Sequence, residues 1–139
     1  MKVHGIILSL GILLVLLGCT TENSHGNEVL VRGSWNLTNV SGGFAGVDDD
    51  FEKGKIVWEF DAKADTLMVV NNDESNSIYN GLPTATYTYS VLQEKDKFYL
   101  VVNDKEIGGI TVGETKLLLD QNSTTFGSGA DGFILVFEK

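Results

Sequence analysis

The chain has 139 residues, with ten lysines and arginines against nineteen aspartates and glutamates, for a formal net charge of −9. An acidic balance of this size argues against nucleic-acid binding and against docking on anionic lipid headgroups. Its two histidines, His4 and His25, and its one cysteine, Cys19, all precede Leu30. From Leu30 onward there is therefore no Ser-His-Asp or Cys-His catalysis and no ordinary zinc or copper site. Carboxylate pairs or a lysine or tyrosine base would remain, but no pattern points to them. The expectation is a binding protein that is not an enzyme and uses no cofactor.

Taken in chain order, Lys2 supplies a positive start, and residues 6–17 are apolar apart from Ser9 and Gly11. That run is shorter than the roughly 20 residues a membrane-spanning helix needs, and it fits a secretory signal. It ends in Leu16-Leu17-Gly18-Cys19, which resembles the bacterial lipobox. The resemblance implies that residues 1–18 are a lipoprotein signal peptide and that the Cys19 thiol carries a diacylglyceryl group. It further implies fatty acyl chains such as palmitate anchoring the protein to a membrane of the bacterial cell envelope. Thr20 is not the aspartate linked to inner-membrane retention in enteric bacteria, so the outer membrane is expected. Without Lys2, nine basic residues face nineteen acidic ones, a charge of −10. With Cys19 acylated, no disulfide is available inside the domain, and packing alone must stabilise it. Residues 19–28 are polar and aperiodic, as a lipidated flexible tether would be. Residues 29–139 are expected to form one domain.

Alternation with β-branched and aromatic residues dominates from Leu30. It predicts eight strands, at roughly 30–39, 55–60, 66–72, 84–92, 98–103, 106–112, 115–121 and 132–138. Short polar connections such as Asp61-Ala62-Lys63-Ala64-Asp65 and Asn103-Asp104-Lys105 read as hairpin loops. Charged positions fix the parity. Lys55 and Glu59 face water, which sends Ile56, Trp58 and Phe60 inward; Lys116 and Asp120 likewise send Leu117 and Leu119 inward. Glu138 does the same for Phe133, Leu135 and Phe137. Tyr87, Tyr89 and Val91 oppose Thr86, Thr88 and Ser90, the cleanest alternation in the chain. Short strands joined by hairpins form an antiparallel meander, and closure into a barrel removes its edges. The expected fold class is all-β: a small eight-stranded antiparallel up-and-down barrel.

Gly33-Ser34-Trp35 opens the first strand and a long first loop follows at 41–54. Together with KIVWEF, TYTYSVL, FYLVV and ADGFILVFEK, the pattern resembles the lipocalin-like (calycin-type) lipoproteins common in Bacteroidetes, over essentially the whole mature domain. That likeness implies that Trp35 plugs the closed end of the barrel and that a basic residue from the last strand packs over it. Lys139 stands in that place, where the family usually has arginine.

The inward aromatics admit two readings. In one they form a pocket for a small hydrophobic or amphipathic ligand, lined by Trp58, Tyr87, Tyr89 and Phe98, with Phe44 and Phe51 of the long loop closing over its mouth. In the other they fill a barrel only wide enough for side chains, leaving a protein–protein interaction, accessory or inhibitor module that engages an envelope partner. The long loop is then either a lid or partner-binding loop, or a segment that packs its own phenylalanines on the rim. Its carboxylates include Asp48, Asp50 and Glu52, which are close enough to be calcium candidates. They lack EF-hand spacing, and a solvated acidic loop accounts for them. The run Gly127-Ser128-Gly129-Ala130-Asp131-Gly132 opens no helix and reads as a wide turn. Replacing the anchor residue, Cys19→Ser, is expected to abolish metabolic palmitate labelling and release the protein from the membrane fraction. Unchanged labelling and fractionation in that variant would end the lipoprotein reading.

Overall fold

A computed structural model of the protein describes residues 31–139. The signal, Cys19, the tether and the first two residues of the expected domain lie outside the described residues. Among the described residues the secondary structure is all β, with no helix. The strands are β1 (Gly33–Gly42), β2 (Val47–Asp50), β3 (Ile56–Asp61), β4 (Thr66–Asn71), β5 (Ala85–Glu94) and β6 (Lys97–Val102). They continue with β7 (Lys105–Val112), β8 (Lys116–Asp120), β9 (Ser123–Thr124), β10 (Gly127–Ser128) and β11 (Phe133–Glu138).

The sheet order β11-β8-β7-β6-β5-β4-β3-β1-β2, with β11 also paired to β1, describes a closed eight-stranded antiparallel barrel with β2 as an extra strand. The eight expected strands are its eight staves. The structure adds β2 and the small β9–β10 hairpin, both too short to show an alternating pattern.

Closure depends on β1. Residues Gly33 to Asn36 pair with Phe60 to Val57 on β3, whereas Asn39 to Gly42 pair with Asp50 to Val47 on β2. Between these halves the register against β11 shifts at Leu37/Asn39. A bulge at Thr38 bends the strand there and hands its edge from β3 to β2. Thr38 keeps its polar groups occupied: Oγ1 donates to Val136 O (3.2 Å), and its carbonyl accepts from Phe51 N (2.9 Å). The seam is further stitched by Asn36, whose Nδ2 donates to Glu138 O (3.2 Å) and whose Oδ1 accepts from Gly54 N (2.8 Å). The Glu138 carboxylate lies 3.0 Å from Lys53 Nζ and 3.9 Å from Lys116 Nζ.

Tight turns join the staves as their residues require. Asn103 and Asp104 both take positive φ, 47° and 61°, as a two-residue hairpin turn demands, and both residue types tolerate it. Asp61 Oδ1 accepts from the backbone N–H of Lys63 (3.0 Å) and Ala64 (3.2 Å), which rounds the β3–β4 turn.

The parity read from the charged positions holds. Ile56, Trp58, Phe60, Leu117, Leu119, Leu135 and Phe137 are all buried in one core with Val31, Leu37, Val40 and Leu100. Phe133 is only partly buried, at the rim. Trp58 packs against Phe137 (ring centroids 4.8 Å apart) and Phe60 (6.2 Å), and Phe60 meets Tyr89 edge-on at 5.0 Å. Aromatic rings therefore fill the interior from Phe137 to Tyr89. At the closed end Trp35 is buried, and its Nε1 donates to Arg32 O (3.1 Å). Lys139 Nζ sits 4.8 Å from the Trp35 ring centroid, so the cation expected over this ring is present as lysine. Gly33 opens the same end, paired with Phe60.

Trp35→Ala should destabilise the barrel by about 3–5 kcal/mol, as deletion of a large buried ring does. Chemical denaturation measures this, and a loss below about 1 kcal/mol would mean the ring is not structural.

Candidate site at the barrel mouth

The β3–β4, β5–β6 and β7–β8 turns lie with the start of β1 at the closed end. The β1–β2 turn and residues 72–84, 103–104 and 121–132 lie at the other end. The long first loop does not cover that mouth. Residues 41–54 instead contain the β1–β2 hairpin, with Phe44 at its tip 94% exposed and Phe51 buried in the main core. The pairing of Asn39–Gly42 with Val47–Asp50 holds the hairpin as an extension of the wall, too ordered to fold over the opening.

The mouth is closed by the β4–β5 connection, residues 72–84. A Cβ built on Gly81 would lie 3.5 Å from Leu37 Cδ2, 3.6 Å from Trp58 Cζ2 and 3.8 Å from Leu135 Cδ2. Backbone therefore rests directly on three core side chains, and Gly81 has a φ of +87° that other residues adopt only with strain. On one flank Tyr79 stacks on Phe133, centroids 4.5 Å apart and planes 10° from parallel, and the Tyr79 hydroxyl accepts from Gln121 Nε2 (2.9 Å). The same Phe133 ring fills the space where a Cβ on Gly43 would lie, 2.5 Å from its Cε1. Only glycine lets the β1–β2 turn approach so closely.

Two side chains at the end of β4 shape this plug. Asn71 Nδ2 donates to the carbonyls of Asn80 (3.1 Å) and Leu82 (3.2 Å), and its Oδ1 accepts from Asp73 N (3.0 Å). Asp73, with its side chain 1% exposed, accepts from Ser75 Oγ (2.7 Å), Ser77 Oγ (2.9 Å), Asn80 Nδ2 (3.1 Å) and Ser75 N (3.2 Å). Lys55 Nζ stands 3.8 Å away. The Ser75 hydroxyl leads in holding the Asp73 carboxyl well below the usual carboxylate range. Burial opposes it, and the bonds from Asn80, Ser75 N and Ser77 add to it. The sequence signal for this plug was the Asn/Asp/Ser-rich run at 71–77 followed by Ile78, Tyr79 and Leu82, because such residues bond to nearby backbone in place of a strand ladder.

Beside the plug lies a cavity of about 470 Å³, lined by Tyr79, Leu82, Tyr87, Val102, Asn103, Lys105, Glu106, Ile107, Gln121 and Gly132. Its walls are apolar and its rim is polar. Glu106 is already committed, accepting from Thr125 N (2.8 Å) and Thr125 Oγ1 (2.7 Å), which fastens the β9–β10 hairpin to β7.

No family model, curated protein or solved structure matches the chain.

The residues expected to bind ligand are thus distributed over several places. Tyr87 lines the mouth cavity, its hydroxyl donating to Pro83 O (2.8 Å). Trp58 lies directly under the plug. Tyr89 is in the core near the closed end, donating from its hydroxyl to Val31 O (3.0 Å). Burial, with Asp65 and Asp61 contributing, pushes its phenol up to about 12. Phe98 lines a separate cleft of about 410 Å³ where the β6–β7 ladder ends at Tyr99–Gly109. Phe44 is out in solvent, and Phe51 belongs to the core.

The calcium candidates are only partly brought together. Asp48 Oδ1 and Asp50 Oδ1 both accept from Asn39 Nδ2 at 2.9 Å, so an amide donor satisfies the pair. Glu52 lies beyond β2, exposed. Among the described residues no group of three or more His, Cys, Asp or Glu side chains is placed to hold a metal ion.

A carboxyl whose folded pKa is depressed contributes stability above its unfolded value, near 3.8, and loses it as pH falls toward the folded value. Asp73→Ala should therefore cost ~1–3 kcal/mol at neutral pH, the range for removing a partner from buried, charge-assisted bonds. Urea unfolding should show the gap between wild type and variant narrowing as pH drops below about 4. A gap that stays constant down to acid pH would show that ionised Asp73 does not hold the plug.

Proposed function

We propose that the protein is an envelope lipoprotein that binds a small amphipathic molecule at the mouth of its barrel. The single observation carrying this reading is the 470 Å³ cavity beside the plug, whose Leu82, Val102 and Ile107 wall gives way to a rim of Asn103, Lys105 and Gln121. That size and composition suit small-molecule sites, in which apolar walls supply area and a few polar groups set orientation. The described chain starts beside Trp35 at the closed end, where Val31 is bonded to Tyr89. A tether entering there would leave the mouth facing away from the anchoring membrane.

A second reading is favoured by a specific observation. Phe44, Ile78 and Phe126 stand on three loops at the mouth end and are 94%, 68% and 99% exposed. Gathered into one patch, such side chains would form a contact surface, and the carboxylates of Asp48, Asp49 and Asp50 beside Phe44 would select a partner with basic residues around an apolar spot.

The two readings separate in one experiment. With the full chain, 2-acetylnaphthalene should bind saturably near one equivalent, and Ile107→Trp, which fills the cavity, should weaken it at least tenfold without changing the β-sheet circular dichroism. The double variant Phe44→Ser, Phe126→Ser should leave that binding unchanged. Residues 6–17 are common to all three proteins, so their own affinity for the probe cancels. Saturable binding that is indifferent to Ile107→Trp would remove the cavity as the site and leave the contact surface in the lead.

A further inference from the structure

Among the described residues, the buried side-chain nitrogen or oxygen without a hydrogen-bond partner is Trp58 Nε1. The residue is 1% exposed. An indole N–H shut away from any acceptor costs about 1–3 kcal/mol, so its persistence calls for an explanation. The other tryptophan does not share the condition, since Trp35 donates to Arg32 O.

The position of the orphan donor is informative. Trp58 Cζ2, on the same edge of the indole as Nε1, is the atom that faces Gly81. Tyr79 and Leu82 line the mouth cavity, and Gly81 between them covers Trp58. The barrier between cavity and indole is therefore one stretch of backbone, residues 79–82. The plug is anchored to the end of β4: Thr84 Oγ1 accepts from Asn71 N (2.8 Å), Asn71 Nδ2 donates to the carbonyls of Asn80 and Leu82, and Asn80 Nδ2 donates to Asp73, so lifting residues 79–82 has to release these last three bonds. Its other contacts with the barrel are the Tyr79–Phe133 stack, the bond from Gln121 to Tyr79, and Gly81 resting on Leu37, Trp58 and Leu135.

We propose that Trp58 Nε1 is the polar anchor of the ligand site, reached when residues 79–82 lift from Leu37, Trp58 and Leu135. This rests on the mouth-cavity reading and specifies the ligand's chemistry. The indole is a donor only, so the ligand must bring an acceptor. Leu37, Leu135, Phe60 and Phe137 surround the indole and provide no countercharge, so an ionised group there would meet a large desolvation penalty. The fitting class is a neutral molecule with an apolar body and a carbonyl or ether oxygen at its buried end.

The test compares two probes of nearly equal shape, 2-acetylnaphthalene and 2-ethylnaphthalene, on the full chain. Two indole N–H signals are expected in the nitrogen–proton spectrum, from Trp35 and Trp58. The ketone should move the Trp58 signal downfield as a hydrogen bond forms, while the hydrocarbon should not. The ketone should also bind about tenfold more tightly than the hydrocarbon, a preference that falls to about one in Trp58→Phe. The proposal is overturned if ketone preference survives in Trp58→Phe, or if the ketone binds the wild type with the Trp58 signal unmoved. The wild-type spectrum decides alone if the variant does not fold. Failure of both probes to bind wild type saturably would instead remove the mouth-cavity reading beneath this one. Loss of ketone binding in Ile107→Trp with an unmoved Trp58 signal in wild type would leave the cavity standing and remove only its anchor.

Discussion

The pairing of β11 with β1 holds this molecule together, because it turns an eight-strand meander into a closed wall. An open sheet of these strands would leave two unpaired edges and an apolar face in water. Closing it requires β1 to serve three neighbours, β11 along one edge and then β3 and β2 in succession along the other. The bulge at Thr38 makes that succession possible, and Asn36 before it and Thr38 within it stitch their side chains to the β11 backbone. With the wall closed, Trp35 has a floor to fill and Lys139, just beyond β11, is carried to its face. The one edge left over, that of β2, carries Asp48, Asp49 and Asp50, and charge there discourages pairing with another strand.

Closure at this size also decides what the interior can hold. Eight short strands enclose room for side chains, and here Trp58, Phe60, Tyr89 and Phe137 take it. A binding site must then sit where the rings stop, at the mouth. The protein finishes its core there with backbone, laying Gly81 on Leu37, Trp58 and Leu135. Backbone makes a poor stopper, since its own polar groups need partners. Asn71 answers that need by donating to the carbonyls of Asn80 and Leu82, and Asp73 by collecting the hydroxyls and amide of the same segment. Asn80 and Leu82 are therefore held by polar bonds from the end of β4, while Gly81 between them rests on apolar contacts.

The barrel was legible in the sequence because alternation, charge parity and short turns agreed from strand to strand. Lys55 and Glu59 on one face of β3 told where Trp58 points, and the buried Trp58 and Phe60 follow from that alone. Site residues were harder. Tyr87, Tyr89 and Phe98 were known to point inward, but parity says nothing of height along the barrel. Height separates the mouth cavity of Tyr87 from the closed-end position of Tyr89. The loop at 41–54 was open between a lid and a segment packing its own phenylalanines, and alternation could not choose. Gly42 and Gly43 allow a close hairpin turn, Asn39 ties β2 to the wall, and of the two phenylalanines only Phe51 packs inward. The true cover drew no notice because its Asn/Asp/Ser residues bond to one another locally, and local bonding leaves no periodic trace.

The mouth and the floor of the barrel differ in kind, and that difference bears on the proposed role of an anchored lipoprotein. The floor is sealed by a buried indole, a lysine over it and tight hairpins, so it has no reason to open. The mouth carries the unsatisfied Trp58 N–H, the cavity and three exposed apolar tips on separate loops. A chain that enters at the floor would direct its rigid end toward the anchor and its adaptable end toward whatever approaches. If the chain is lipid-anchored as proposed, its negative charge would act in the same sense, keeping the domain off an anionic bilayer. Ligand capture and partner contact would both take place at that end, and lifting residues 79–82 would shift Ile78, which precedes them. If both proposed roles hold, occupancy of the cavity and the shape of the contact surface would be coupled through a single strip of backbone.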